Sequence, residues 1–172
     1  ALVTSLPNFR VFSPSSDEEM NQVVRQSYES SGPTYIRIGK SDGGFSGSFP
    51  NSIIEPYLVT TGSMESIALI AHGAMTARVH GLMSSGEIPN LDMWSCPTIF
   101  PIPQSFMEIL LDRYTDVIII EEHLETGGLK SMLLNLLGQT STRVHGICAN
   151  RAFHHGVGSY SWALGQHGLG NQ

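Results

Sequence analysis

The sequence predicts an α/β fold: a mostly parallel sheet with helices on both faces and one antiparallel edge strand, preceded by a strand-helix-strand segment. Two observations support this prediction. Short β-type runs alternate with segments of helical periodicity along most of the chain. The run 117–120, VIII, is apolar at every position, which is typical of a parallel strand covered on both faces. The 172 residues suffice for one domain, or for one domain and part of another.

The first forty residues predict a strand, a helix and a second strand. An apolar run at 9–12 ends before a serine and a proline. The segment 15–19, SSDEE, combines hydroxyl side chains with acids, as at the start of a helix. Apolar side chains then recur at helical spacing: Met20, Val23, Val24 and Tyr28. The sequence SGP ends this helix, and the β-type run 34–38, TYIRI, follows.

A segment rich in glycine and serine separates this part from the rest. Residues 41–52, SDGGFSGSFPNS, predict a linker, which we extend to 41–56, with a long ordered surface loop as the alternative. Beyond it, the runs 57–59 and 67–70 flank a Thr-Gly-Ser turn. We interpret these runs as a hairpin whose outer strand is the antiparallel edge strand.

The remaining elements alternate regularly. They are a helix with Met75, Val79, Leu82 and Met83 on one face, a strand at 91–94, a helix after Pro101 and Pro103, the buried strand 117–120, a helix after Gly127-Gly128, a strand at 144–148 and a short helix around Trp162 and Leu164.

Charge and composition exclude several classes of function. Nine basic residues against 15 acidic ones give a formal net charge of −6, whereas nonspecific nucleic-acid binding needs a basic surface. No apolar run approaches the roughly 20 residues of a membrane span, and no signal-peptide pattern opens the chain. Two cysteines form no CxxC. We expect a cytoplasmic chain without nucleic-acid or membrane partners. Because it begins with alanine, we also expect a processed product or a fragment.

The histidines do not predict a metal site. Seven are present, but none forms HxxxH or HExxH. Three of them, His72, His123 and His155, fall at or near predicted strand ends, where we expect ordinary hydrogen-bonded residues. Neither a GxSxG elbow nor an activated cysteine is present, so no nucleophile is predicted.

A polar motif follows the predicted buried strand 117–120. Glu121-Glu122-His123 come directly after it, and Gly127-Gly128 begin the next helix. The glycines allow two interpretations: a phosphate cradle at the helix start, or close packing of the helix on the sheet, which we favour. The glutamates could act in general acid–base chemistry, but capping of the following helix is the commoner use.

Two long stretches resemble transketolase-like enzymes. Residues 7–40, PNFRVFSPSSDEEMNQVVRQSYESSGPTYIRIGK, resemble the end of their pyrimidine-binding domain. Residues 57–172 resemble their C-terminal domain, through the segments SIALIAHGAM, PTIFPIP, VIIIEEHLETGGLKS and VHGICANRAFHHG. Transketolase, 1-deoxyxylulose-5-phosphate synthase and the β subunit of 2-oxo-acid dehydrogenases share this layout. The resemblance implies domains at 1–40 and 57–172, joined by the linker 41–56.

The resemblance also implies an activity and its requirements. Complete enzymes of this family use thiamine diphosphate and magnesium to move two-carbon or acyl units between sugars or oxo acids. The GDG motif that binds the diphosphate is absent, and the activating glutamate matches positions upstream of Ala1. We therefore expect no catalytic, cofactor-binding or metal-binding residue here, no cofactor bound by this chain alone, and no activity alone.

The resemblance implies two candidate site residues and several partners. Lys40 matches the basic position that contacts the phosphate of a sugar phosphate, and Arg37 is the neighbouring candidate. The partner would be an N-terminal half that carries the diphosphate site, in the same or a separate chain, within a homodimer or heterotetramer. The alternative is a non-catalytic module that binds an anion or a protein. An independent hydrolase is less favoured, because no nucleophile motif is present.

Overall fold

The computed structural model describes residues 2–39, 50 and 54–170, and the elements follow the predicted alternation. After a short 3-10 helix at Val3–Ser5, they are β1 (Arg10–Phe12), α1 (Asp17–Glu29), β2 (Thr34–Ile36), β3 (Tyr57–Thr60), β4 (Met64–Ala71), α2 (Ala74–Ser84), β5 (Leu91–Ser95), β6 (Thr98–Phe100), α3 (Gln104–Arg113), β7 (Asp116–Leu124), α4 (Leu129–Leu137), β8 (Arg143–Ala149) and α5 (Tyr160–Gln166).

Five strands form the main sheet, in the order β3-β5-β4-β7-β8. All neighbours are parallel except β3, which pairs antiparallel with β5 at one edge. The predicted fold class, with its single antiparallel edge strand, is therefore confirmed. The predicted hairpin is wrong, because β4 lies between β5 and β7 and does not pair with β3. Both faces of β4 are buried, through Ala68 and Ile70 on one and Leu69 and Ala71 on the other, which is typical of an interior strand of a parallel sheet.

Helices cover both faces of this sheet. On one face α3 and α4 pack through buried side chains such as Phe106, Leu110 and Leu133 against alternate residues of β4 and β7. On the other face α2 and α5 pack against the intervening residues, through Met75 and Leu164 among others. Both faces of β7 are thus covered, which explains why its sequence is apolar without alternation.

The first segment forms a second, three-stranded sheet in the order β2-β1-β6. β1 and β2 are parallel, and β6 pairs antiparallel with β1. Strand β6 was not predicted, because its three residues, between two prolines, are too few to show a periodic pattern. Phe12 on β1 and Val23 on α1 are buried. Tyr28 and Ile38 remain 91% and 73% exposed.

Some expectations fall outside the described residues. Most of the linker 41–56 and Lys40 lie there, so the domain boundaries at 40 and 57 stay predictions. No helix within the described ranges is long and apolar enough to cross a membrane.

Candidate functional site

The carboxylate of Glu19 joins helix α1 to the main sheet. Glu19 lies in the first turn of α1 and is fully buried. One oxygen accepts hydrogen bonds from the Tyr57 hydroxyl at 2.7 Å and the Ser95 hydroxyl at 2.8 Å, and the other accepts the Ser15 amide at 2.5 Å. Burial and the Glu19 carboxylate raise the pKa of Tyr57 well above its ordinary value. The predicted helix start is confirmed, with Ser16 as the cap, but Glu19 also reaches strands β3 and β5.

A second buried chain of polar groups crosses the same junction. His72 directly follows β4, and its Nδ1 lies 3.0 Å from the hydroxyl of Ser13, which follows β1. The Nε2 of His72 approaches the Glu121 carboxylate at 3.6 Å. His72 thus connects the end of the small sheet to the centre of the main sheet.

The side chain of Glu121, on the neighbouring strand β7, caps the N-terminus of α4. Its oxygens accept the amides of Leu129 at 2.7 Å and Lys130 at 3.1 Å, so the expected capping role is confirmed. Burial alone would raise the pKa of Glu121, but His72 and the two amides hold it below its ordinary value. The phosphate-cradle interpretation is wrong, because an internal carboxylate already fills the helix start. Strand β7 also extends further than predicted, so that Glu121-Glu122-His123 lie within it.

Gly128 permits this contact by its lack of a side chain. A Cβ at this position would meet the Glu121 carboxylate at 2.4 Å. We expect Gly128→Ala to lower the free energy of unfolding by about 2 kcal/mol, because the cap must shift. Gly81→Ala is the matched control, since Gly81 lies inside helix α2 with open space around it, and there alanine should stabilise by about 0.5–1 kcal/mol. Urea unfolding measures both; an unchanged midpoint for Gly128→Ala would contradict the close packing.

Arg37 is held by an ion pair with the main sheet. It follows β2, and its guanidinium donates to Glu122 at 2.8 Å. Glu122 also accepts from the hydroxyl of Tyr160 on α5. Burial and this hydrogen bond raise the pKa of Tyr160 well above its usual value. The structure therefore places one candidate phosphate contact, Arg37, in a clamp between β2, β7 and α5, while the other, Lys40, lies outside the described residues.

The other candidate groups are engaged or inert. His123 bonds the carbonyl of Leu124 within β7, and His155 lies in the irregular segment after β8. Among the described residues, no group of three or more His, Cys, Asp or Glu side chains could hold a metal ion. Cys96 is buried and contacts the carbonyl of Thr98 at 3.3 Å, and burial raises its pKa far above that of a reactive thiol.

Sequence reasoning missed three residues at this junction. Ser13, Glu19 and Tyr160 each make long-range contacts that connect separate elements. Glu19 carried only the local pattern of a capped helix start, and Ser13 that of a turn. One pattern in the sequence could have indicated Ser13. Polar residues directly follow β1 and β4, and the carboxyl ends of parallel strands are where polar side chains meet.

Two comparisons with known proteins find relatives, and no protein-family model matches the chain. The chain is 27% identical over 139 residues to 1-deoxy-D-xylulose-5-phosphate synthase of Chlorobaculum tepidum, which covers 77% of this chain and 22% of that protein. Among solved structures, a split gene transketolase described as an inactive beta4 tetramer matches with a TM-score of 0.80 at 23% identity. That match covers 98% of this chain and 56% of the other. The chain thus spans about a fifth of the curated relative and just over half of the solved chain.

Proposed function

We propose that this chain, which has the fold of a transketolase-like C-terminal domain, is the C-terminal portion of a thiamine-diphosphate-dependent transferase. In the complete enzyme it would help to move a two-carbon ketol unit, or an acyl unit, between sugar phosphates. The observation that carries the proposal is one continuous match. The β1-α1-β2 segment and the following α/β domain agree together with the split gene transketolase over 98% of this chain.

The chain's own residues would serve the assembly rather than the chemistry. The GDG motif that binds the diphosphate in the transketolase-like family does not occur in these 172 residues. The buried carboxylates Glu19 and Glu121 are both already engaged by hydrogen-bond donors of this chain. The cofactor site would therefore come from an N-terminal half, in the same or a separate polypeptide.

The open side of the small sheet supports such a partner. Within the part of the chain that the structure describes, strand β2 pairs only with β1. Tyr35 on β2 and Val24 and Tyr28 on α1 expose large apolar areas nearby. A further parallel strand would cover them and pair with the open edge of β2.

Arg37 and Lys40 would have different roles at the substrate. The Glu122 contact fixes Arg37, so that Arg37 positions the end of β2. Lys40, three residues further on, would supply the positive charge for the substrate phosphate. Lysine offers a point charge rather than the planar fork of arginine.

Transfer assays test the proposal. The 172-residue chain alone, with thiamine diphosphate, magnesium and pentose phosphates, should give no transfer, whereas the assembly isolated from its source should. In that assembly Lys40→Ala should raise KM for a phosphorylated sugar at least tenfold, with little change for the same sugar without phosphate. Transfer by the chain alone would refute the proposal that it needs an N-terminal half. An equal effect of Lys40→Ala on both sugars would refute the phosphate contact of Lys40. The intact mass of the native product, near 18.7 kDa or several times larger, tells whether the other half is a separate chain.

The alternative is a binding module without catalysis. A module that binds an anion at the start of α4 is not supported, because the Glu121 carboxylate already occupies that position. A protein-binding form would use the same exposed face of α1 and β2. Transfer by the natural assembly distinguishes the two functions.

A further inference from the structure

The chain leaves strand β2 through residues 37–39. The amide of Arg37, the first residue after β2, donates to the carbonyl of Phe12 at 2.8 Å. Ile38 is 73% exposed, so the burial of its side chain contributes little to holding the chain here. Gly39 lies beside Ala74 at the start of α2, where an added Cβ would come within 3.4 Å of the Ala74 Cβ. A contact made by the Arg37 side chain can therefore fix the direction in which the chain leaves β2.

The side chain of Arg37 makes such a contact with the main sheet. Its Nη2 donates to Oε2 of Glu122 at 2.8 Å, across 85 positions of sequence. The Glu122 side chain is only 12% exposed and that of Arg37 is 37% exposed, so water and salt screen this pair less than a pair on the open surface. The pair therefore holds the end of β2 against β7.

Tyr160 restrains the same carboxylate from a third element. Its hydroxyl, on α5, donates to Oε1 of Glu122 and lies 3.9 Å from the Sδ of Met75 on α2. One oxygen of Glu122 thus accepts from Arg37 and the other from Tyr160. Two donors from different elements fix the orientation of the carboxylate, and through it the position of the guanidinium. The last helix of the chain therefore takes part in fixing the end of β2.

We propose that Glu122 and Tyr160 are positioning residues for the phosphate of a sugar-phosphate substrate. They hold Arg37, and Arg37 fixes the start of the segment that carries Lys40, three residues further along the chain. This inference rests on the proposed function and deepens it, because it makes selectivity for the phosphorylated sugar depend on α5. Binding of the phosphate is then sensitive to contacts remote from it, since a small displacement of a binding group weakens binding.

Transfer kinetics of the natural assembly test the proposal. Glu122→Gln and Tyr160→Phe should raise KM for a phosphorylated sugar, by about fivefold and about threefold, and leave kcat and the KM for the same sugar without phosphate unchanged. Glu125→Gln is the matched control, because Glu125 pairs with Lys130 on α4 and not with the first segment, and it should change neither KM. Equal changes in both KM values would show a merely structural role and overturn the proposal.

A double variant separates positioning from direct contact with the phosphate. Because Arg37 acts through Glu122, Arg37→Gln should raise the KM for the phosphorylated sugar as much as Glu122→Gln does. The two changes together should raise it no more than either change alone. Additive effects would show that the two side chains act independently and would overturn the proposal.

Hydrogen exchange in the 172-residue chain tests the contacts without cofactor, substrate or partner. In Glu122→Gln the amide of Arg37 should exchange about fivefold faster, because the end of β2 opens more often. The amide of Ile70, inside β4, should exchange at its former rate, which also shows that the variant is folded. Unchanged exchange at Arg37, or equal acceleration at both amides, would overturn the proposal.

The Lys40→Ala variant separates failure of this inference from failure of the proposed function. If Lys40→Ala removes the preference for the phosphorylated sugar while Glu122→Gln and Tyr160→Phe leave its KM unchanged, the phosphate contact stands and the positioning roles are wrong. If Lys40→Ala has no phosphate-dependent effect, the proposed phosphate contact is wrong and this inference fails with it.

Discussion

Glu19→Ala should lower the free energy of unfolding by about 4 kcal/mol. The change removes a buried acceptor of three hydrogen bonds, which come from the Ser15 amide and the hydroxyls of Tyr57 and Ser95. Each unpaired buried donor costs about 1–3 kcal/mol, and local rearrangement recovers part of the sum. Because the carboxylate lies on α1 and two of its donors lie in the main sheet, the loss should affect the packing of the first segment on the rest of the chain. Urea unfolding followed by circular dichroism measures the change.

Two neighbouring variants separate the buried contacts from other effects. Glu18→Ala removes an exposed acid from the same turn and should change stability by less than about 0.5 kcal/mol. Glu19→Gln keeps one acceptor oxygen but turns an amide donor toward other donors, and should cost about 2 kcal/mol. Equal values for Glu18→Ala and Glu19→Ala would show that the carboxylate does not join α1 to the main sheet.

Glu121→Ala should cost about 3 kcal/mol at neutral pH. It leaves the amides of Leu129 and Lys130 without their acceptor and removes the negative charge beside His72. The effect should be centred on α4, so hydrogen exchange at the first turn of α4 should accelerate more than exchange in α2. Uniform acceleration in both helices would contradict a local capping role.

The same carboxylate makes stability depend on acid. The pKa of Glu121 in the folded chain lies below its ordinary value, so its contribution is fully present above about pH 4.5. The contribution is lost as the pH falls through the folded-state pKa. Glu121→Gln should therefore flatten the decline of stability below about pH 4.5. A smaller slope should remain, because Arg143 and His145 also lower the pKa of Asp116. An unchanged slope would refute the prediction.

The main sheet could be predicted because its signals are local. The apolar runs of β4 and β7 and the periodicity of α2 and α4 determine both the strand type and the buried helix faces. Pairing across the chain was harder. The local sequence of β3 would be the same whether it paired with β4 or with β5. The folded structure pairs it with β5, because β4 lies between β5 and β7 in the interior of the sheet.

The candidate site was less predictable for a related reason. Arg37 and Glu121 carried recognisable patterns, but the folded topology alone brings Glu122 to Arg37 and His72 to Glu121. It also brings Ser13 to His72. No spacing rule connects residues so far apart in the sequence. The phosphate-cradle interpretation was wrong because a glycine pair before a helix looks the same whether an external anion or an internal carboxylate fills the helix start.

Strand β6 affects the order in which the chain can fold. It belongs to the later part of the sequence but completes the sheet of the first part by pairing with β1. During synthesis β1 and β2 therefore leave the ribosome well before the strand that covers their edge. One edge of β1 stays unpaired until the polypeptide has been synthesised to Phe100. The chain between β1 and β6 is a long loop, and closing it slows the assembly of the small sheet. The first forty residues thus depend on residues made later, and a cut in the linker would not release two self-sufficient units.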